Sequence, residues 1–260
     1  MLPRGAMILL TSRCQLKCKH CGAIHANDYH ATDLDPAFVK KALVDLRNGN
    51  TCIVAFSGGD PILYPNLIEV LRYTRKLGML PVLGITGVDV SDEMIVELKN
   101  VHIGCVQVSL DGSTAETNDS IRGYGNYAEV LQTIERFIRV GVNVNVAVCI
   151  FKENIHDLIS MLTLLKQMQV YKVKIQFWRP VNGLELHALS QDEENHVIQL
   201  CKEFEMNNSL SSWIQIPNST LREIHSSSIV ICADGSICDT RGEVFGNVYQ
   251  QLPSDVWKGK

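Results

Sequence analysis

The stretch Thr11-Ser12-Arg13-Cys14-Gln15-Leu16-Lys17-Cys18-Lys19-His20-Cys21 carries three cysteines at a Cys-x3-Cys-x2-Cys spacing. A short apolar run, Met7 to Leu10, leads into it and has the make-up of a strand. Thiolates are soft ligands, and three on one loop can hold three irons of a cubane iron–sulfur cluster. A fourth iron is then left open to a ligand from elsewhere. The competing reading is a zinc knuckle, for which His20, His25 and His30 stand close by.

Outward from this loop, strand and helix signals alternate. Pro36 to Leu46 has helical periodicity, with Asp35 as its cap. Cys52 to Phe56 reads as a strand, Leu67 to Leu77 as a helix closed by Gly78, and Pro81 to Ile85 as a strand. Asp92 to Lys99 is a short helix capped by Ser91, and Cys105 to Leu110 is the next strand. Tyr127 to Val140, Ile155 to Met168 and Gln191 to Met206 read as helices, separated by strands at Val142 to Ile150 and Val173 to Phe177. This alternation predicts a parallel α/β fold with strands buried on both faces. The irregular, chemistry-bearing residues fall after the strands, where α/β barrels place their sites.

The chain has 260 residues, 46% of them hydrophobic, and a net charge of -4. That is enough for one sizeable core. The mildly acidic balance and the lack of a long basic run predict no nucleic-acid surface. The start is too short and broken for a secretory signal, and no apolar run is long enough to span a membrane, so a cytoplasmic protein is expected. Nine cysteines raise a disulfide scaffold as an alternative, which the length and the α/β pattern argue against. Cys52, Cys105 and Cys149 lie in apolar runs and read as buried small hydrophobes. Composition shifts to Ser and Asn after about Asn207, which divides the chain into residues 1–207 and a smaller unit of residues 208–260.

The cysteine spacing, with Gly58-Gly59-Asp60-Pro61 after the second strand and Ser109-Leu110-Asp111-Gly112 after the fourth, resembles the radical S-adenosylmethionine (SAM) superfamily. The resemblance implies a partial (β/α)6 TIM-like barrel with a small C-terminal hairpin appendage. It implies that Cys14, Cys18 and Cys21 bind an oxygen-sensitive [4Fe-4S] cluster whose open iron is chelated by SAM. Reductive cleavage of SAM would then give a 5'-deoxyadenosyl radical that takes a hydrogen atom from substrate. Gly58, Gly59 and Asp60 would meet the SAM amino group through their backbone. Ser109, Arg122 of the Asp119-x-x-Arg122-Gly123 segment, and Asn154 would contact its carboxylate or ribose, and His20 would lie near adenine. Thr86-Gly87 resembles a Thr-Asn-Gly element with the Asn missing. Arg179 and Asn182, after the sixth strand, are candidate substrate-binding groups.

Ile231-Cys232-Ala233-Asp234-Gly235-Ser236-Ile237-Cys238, with Phe245-Gly246-Asn247-Val248, resembles the end of a SPASM/twitch domain. Such domains hold auxiliary iron–sulfur clusters, but no cysteine occurs between Cys201 and Cys232. An auxiliary cluster, which would have to recruit Cys201 or His225, is therefore not favoured. The alternatives for Cys232 and Cys238 are inert thiols of a structural hairpin, or catalytic hydrogen-atom donors, a use known in family epimerases. The resemblance implies hydrogen abstraction from carbon in natural-product or peptide modification, with epimerisation the favoured outcome if a C-terminal cysteine is essential. Alternatives are a dehydrogenase of an aminocyclitol or sugar that uses an auxiliary cluster, and a non-catalytic iron–sulfur partner protein. A small-molecule or peptide substrate and a ferredoxin or flavodoxin reductant are the expected partners.

Overall fold

A computed structural model describes residues 1–22, 30–180, 184, 186–216 and 228–257. Six β/α units make up most of it. The strands are β1 (Gly5–Thr11), β2 (Ile53–Gly58), β3 (Leu80–Ile85), β4 (Val106–Ser109), β5 (Val144–Ile150) and β6 (Lys172–Phe177). The helices are α1 (Pro36–Asn48), α2 (Leu67–Lys76), α3 (Asp92–Asn100), α4 (Ala115–Arg122), α5 (Asn126–Arg139), α6 (Leu158–Gln167) and α7 (Gln191–Asn207). Local chemistry sets their starts. The Asp35 carboxylate accepts from Ala37 N at 2.7 Å with Pro36 in the first turn, and Ser91 Oγ accepts from Met94 N at 3.1 Å. Ser190 and Glu193 form a reciprocal capping box at α7.

Strands β1 to β6 pair in sequence order and all in parallel. Parallel pairing puts every strand's C-terminal end on one edge, so each loop after a strand opens on the same side. Alternate residues face outward. Ile8, Phe56, Leu83, Val108, Val146 and Ile175 join the helices' apolar stripes in one core. The intervening residues, such as Leu9, Ser57, Gln107, Ser109 and Lys174, line the opposite, concave face and are less buried.

The last part of the chain is built into this same sheet. Strand β7 (Ile214–Gln215) lies parallel to β6, so the strand expected at Trp213 to Ile216 extends the barrel sheet. Strand β8 (Ser228–Ile231) lies parallel to β1 on its other edge. Strands β9 (Ser236–Asp239) and β10 (Val244–Asn247) continue antiparallel from β8, and a short helix α8 (Pro253–Val256) follows. Among the described residues the order β10-β9-β8-β1-β2-β3-β4-β5-β6-β7 is an open sheet, with no pairing between β10 and β7 to close it.

Two details correct the sequence expectation. Helix α4 was not expected; Thr114 caps it by accepting from Thr117 N at 3.2 Å, with Glu116 in its first turn. Cys52, Cys105 and Cys149 are not fully buried. Cys52 sits by the Arg4 guanidinium, 3.7 Å away, and Cys149 falls on the concave face of β5. Alternation places one residue in two on that side, so an apolar run alone does not bury a thiol. Among the described residues, no helix is long and apolar enough to cross a membrane.

Phe56 is fully buried and lies in register with Ile8 and Leu83. Phe56→Ala should lower unfolding stability by about 3–5 kcal/mol, read as a fall in denaturant midpoint with little change in slope.

Candidate active site

The cysteine loop leaves β1 and returns beside it. Ser12 N donates to Thr32 O at 2.8 Å, and Leu34 N donates to Leu10 O at 2.9 Å. Arg13 closes the same neck, with Nε 3.0 Å from Asp33 Oδ1 and Nη2 2.6 Å from Asp33 Oδ2. Its Nη2 also donates to Leu63 O at 2.7 Å. Farther along, Lys19 N donates to Ile121 O at 2.9 Å, and Trp178 Nε1 donates to His20 O at 3.1 Å. Contacts from α4 and from the residue after β6 thus fix the backbone between Cys18 and Cys21, and the loop after β2 holds Arg13 just before Cys14.

The turn after β2 locks onto this loop through its backbone. Gly59 N donates to Thr11 O and Asp60 N to Arg13 O, both at 2.7 Å. A Cβ on Gly58 would lie 2.1 Å from Thr11 O, and one on Gly59 would lie 2.1 Å from Arg13 O. Gly58 also has φ +141°, which favours glycine. The glycines are therefore required by contact with the cysteine loop itself. The Asp60 side chain is fully buried. It accepts from Ile62 N at 3.1 Å, from Gln15 Nε2 at 2.9 Å and from the Thr86 hydroxyl. Burial pushes its carboxyl above the usual range, and these donors work against that shift. Thr86, without the expected Asn beside it, thus ties the loop after β3 to the turn after β2.

Asp111, after β4, anchors the other half. Its Oδ1 accepts from Cys149 N at 2.8 Å, and its Oδ2 lies 2.8 Å from Arg122 Nη2. Both side chains are buried. Arg122 Nη1 reaches to 3.9 Å from Cys18 Sγ, bringing a positive charge against the thiol. Burial still raises Cys18 to about 11, with Arg122 opposing the rise. His20 Nδ1 is 3.7 Å from Asp111 Oδ2, and its ring centroid lies 6.2 Å from that of Phe151. Burial lowers the His20 pKa, which favours a neutral ring. Asn154 Nδ2 donates to Asp111 O at 3.0 Å and Cys149 O at 2.8 Å, while its Oδ1 accepts from Phe151 N at 3.0 Å. The Asn154 amide is spent on bracing these loops, which leaves little of it for a ribose.

These residues fit an iron–sulfur cluster with a polar ligand beside it. None of the cysteines is in a disulfide, and Leu16 N points at Cys14 Sγ from 3.4 Å. Among the described residues no three His, Cys, Asp or Glu groups converge on a single metal ion. A cubane spreads its thiolates over different irons, so it does not ask for such convergence. His25, the zinc alternative's second histidine, lies outside the described residues. Around the loop, Gln15 Oε1, His20 Nδ1 and Arg122 Nε are buried without hydrogen-bond partners. Buried polar atoms are normally satisfied, so three orphans in one place suit a polar ligand.

The remaining candidates are more scattered. Ser109 ends β4 on the concave face. The Arg179 guanidinium is half-exposed and paired with buried Glu194, so its charge is already engaged. Asn182 lies outside the described residues. Cys232 and Cys238 face each other across the β8–β9 turn, with their sulfurs 3.7 Å apart. Cys238 is in register with Val230, and Val230 with Met7, which puts both thiols on the concave side of β1. Cys201 is instead buried in the hydrophobic layer of α7, and His225 lies outside the described residues. The sequence reading did not assign roles to Gln15, Thr86 or Trp178. Thr86 and Trp178 each directly follow a strand, and that position is the signal that could point to them.

A family model, the radical SAM superfamily, matches residues 8–165. The Fe-coproporphyrin III synthase of Methanosarcina barkeri is 32% identical over 165 residues, covering 63% of this chain and 41% of that protein. The antilisterial bacteriocin subtilosin biosynthesis protein AlbA of Bacillus subtilis is 29% identical over 215 residues, covering 78% of this chain and 48% of that protein. The chain thus spans about half or less of the length of these relatives. The crystal structure of Streptococcus suis SuiB bound to S-adenosylmethionine superposes with a TM-score of 0.85 at 13% identity, over 100% of this chain and 66% of that one. At that identity the likeness is one of fold.

Removing one partner of the buried Asp111–Arg122 pair strands the other. Asp111→Ala should cost about 3–5 kcal/mol of stability, measured by chemical denaturation. Burial and the neighbouring Cys238 push Cys232 up to about 12. Its alkylation by iodoacetamide should keep rising about tenfold per pH unit from pH 8 to 10, whereas an ordinary thiol, with a pKa of about 8.5, levels off. Mass spectrometry of quenched samples reads this directly.

Proposed function

This chain belongs to the radical SAM superfamily, and we propose that it is an enzyme that abstracts a hydrogen atom from a substrate carbon in peptide or natural-product modification. The carrying observation is the juxtaposition of three thiols, the Arg122–Asp111 pair and three unpartnered buried polar atoms at one mouth of the sheet. In this reading Cys14, Cys18 and Cys21 hold a [4Fe-4S] cluster. When bound, the cluster and SAM together supply a 5'-deoxyadenosyl radical by one-electron cleavage of the sulfonium. Arg122 offers its free Nε edge to the SAM carboxylate, a task suited to guanidinium. The turn at Gly58, Gly59 and Asp60 presents backbone to the amino group. Neutral His20 lies toward adenine, and Ser109 lines the path from this mouth into the concave face. Asn154 acts as a positioning residue that holds Asp111.

Epimerisation is the favoured outcome, and the Cys232–Cys238 pair supports it. Both thiols are pushed up by burial and so stay protonated near neutral pH. A protonated thiol can give a hydrogen atom to a carbon radical. The thiyl left on sulfur then needs one electron and one proton, which a ferredoxin or flavodoxin and solvent can supply. Two thiols also fall short of the usual four cysteine ligands of an auxiliary cluster. The relatives named for bacteriocin biosynthesis and for Fe-coproporphyrin III synthesis support a peptide or other natural product as substrate. The reducing cytoplasm is the compartment that suits the cluster.

Anaerobic reconstitution should give about four irons and four sulfides per chain, and the Cys14/Cys18/Cys21 triple Ala variant close to none. Retention of about four irons in that variant would show a second cluster and sink the thiol-donor assignment. With SAM and dithionite the wild-type protein should form 5'-deoxyadenosine, and the triple variant none. Deuterium from solvent at an inverted carbon is the expected mark of epimerisation, and an oxidised product without it points to dehydrogenation.

A further inference from the structure

The concave face has a charge pattern that the cluster mouth does not use. Its positions on β1 to β6 include Lys172 and Lys174 but no Asp or Glu. Lys174 is in register with Ala147 on one side and Gln215 on the other, while its neighbours Val173 and Ile175 are fully buried on the helix side. That parity points Lys174 into the barrel. It is partly buried and has no ion pair or hydrogen bond among the described residues. The one titratable group that acts on it is Cys105, whose thiol burial pushes up, so that it stays neutral and supplies no counter-charge. Beside them, Asn145 donates Nδ2 to Cys105 Sγ at 3.4 Å and keeps its Oδ1 buried without a partner.

The fold gives no reason for this arrangement. An ammonium taken from water without a counter-ion is unfavourable, and burial pulls the Lys174 pKa below its ordinary value. An apolar side chain would fill a strand position better. A ligand that brings a negative charge would relieve the lysine. An N–H on the same ligand would satisfy Asn145 Oδ1.

We propose that Lys174 and Asn145 form a carboxylate-binding subsite inside the barrel, so that the substrate presents a free carboxylate with an amide N–H close to it. The inference rests on the reading above, in which the concave face receives the substrate. A peptide's terminal carboxylate and an acidic side chain share this chemistry. The subsite sets which substrates enter. The hydrogen-atom chemistry is left to the cysteine loop.

The test uses the reconstituted, anaerobic full chain and limited acetylation by N-hydroxysuccinimidyl acetate, mapped by mass spectrometry. Lys174 should be labelled, and N-acetylglycine or N-acetylisoglutamine should cut that labelling by about threefold or more when present above its dissociation constant. Exposed Lys41 should be unaffected. Protection by N-acetylglycine assigns a terminal carboxylate, and protection by N-acetylisoglutamine alone assigns an acidic side chain. Equal protection by the neutral N-acetylglycinamide, no protection by either acid, or a Lys174 that the reagent never reaches overturns the proposal. Labelling does not depend on SAM cleavage. Protection without 5'-deoxyadenosine would defeat the catalytic reading alone, and 5'-deoxyadenosine without protection would defeat the subsite alone.

Discussion

Two backbone hydrogen bonds, from Gly59 N to Thr11 O and from Asp60 N to Arg13 O, set the geometry on which the site depends. They press the end of β2 against the first residues of the cysteine loop, closer than any Cβ permits. Backbone bonds do not vary with side-chain rotamer, so the start of the loop inherits the rigidity of the sheet. The rest is layered onto this contact. Asp60 is carried into the core by the same turn, where it collects Ile62, Gln15 and Thr86 and so couples β3 to β2. Gln15 belongs to the cysteine loop, so the coupling returns to its starting point.

The second half of the mouth is held by charge rather than by backbone contact. A buried carboxylate and guanidinium are tolerated only where other groups satisfy them. Asp111 has the Cys149 amide on its other oxygen, and Arg122 has the Cys18 sulfur within reach. Replacement of such a pair by apolar residues is often neutral for stability elsewhere. Arg122 eases ionisation of the buried Cys18 thiol and Asp111 opposes it, so what the pair secures here is the placing of the guanidinium beside the sulfur. Helix α4 exists to deliver Arg122 to that position, and its last turn also receives Lys19 N at Ile121 O.

Much of this was legible in the residues. The periodicity of the helices, the caps Asp35 and Ser91, and the placing of chemistry after strands all match the structure. The structure also brings Arg122 to 3.9 Å from Cys18 Sγ and sets Cys232 and Cys238 3.7 Å apart, the second a contact that the sequence leaves open. The misses have physical causes. Helix α4 is short and mostly polar, so it lacks the apolar stripe on which periodicity arguments rest. Strand β7 is legible at Trp213 to Ile216, but the sequence reads it as part of the smaller unit, since two paired residues carry no mark of the strand they join. The burial of Asn154 and the engagement of Arg179 by Glu194 depend on partners far apart in the chain. No local pattern encodes those contacts.

The pairing of β8 with β1 joins segments more than two hundred residues apart, Gly5 with Ser228 and Ile8 with Ile231. A contact of that span raises the mean sequence separation of the native contacts, which slows folding. During synthesis the first strand emerges long before its outer neighbour exists. Until β8 arrives, β1 presents an open edge that could pair with another chain. The thiol pair beyond β8 reaches the concave face only once β8 has joined β1. Parallel pairing puts that pair toward the end of β1 from which the cysteine loop leaves, so the filling of this one edge brings both sets of thiols to the same side of the sheet.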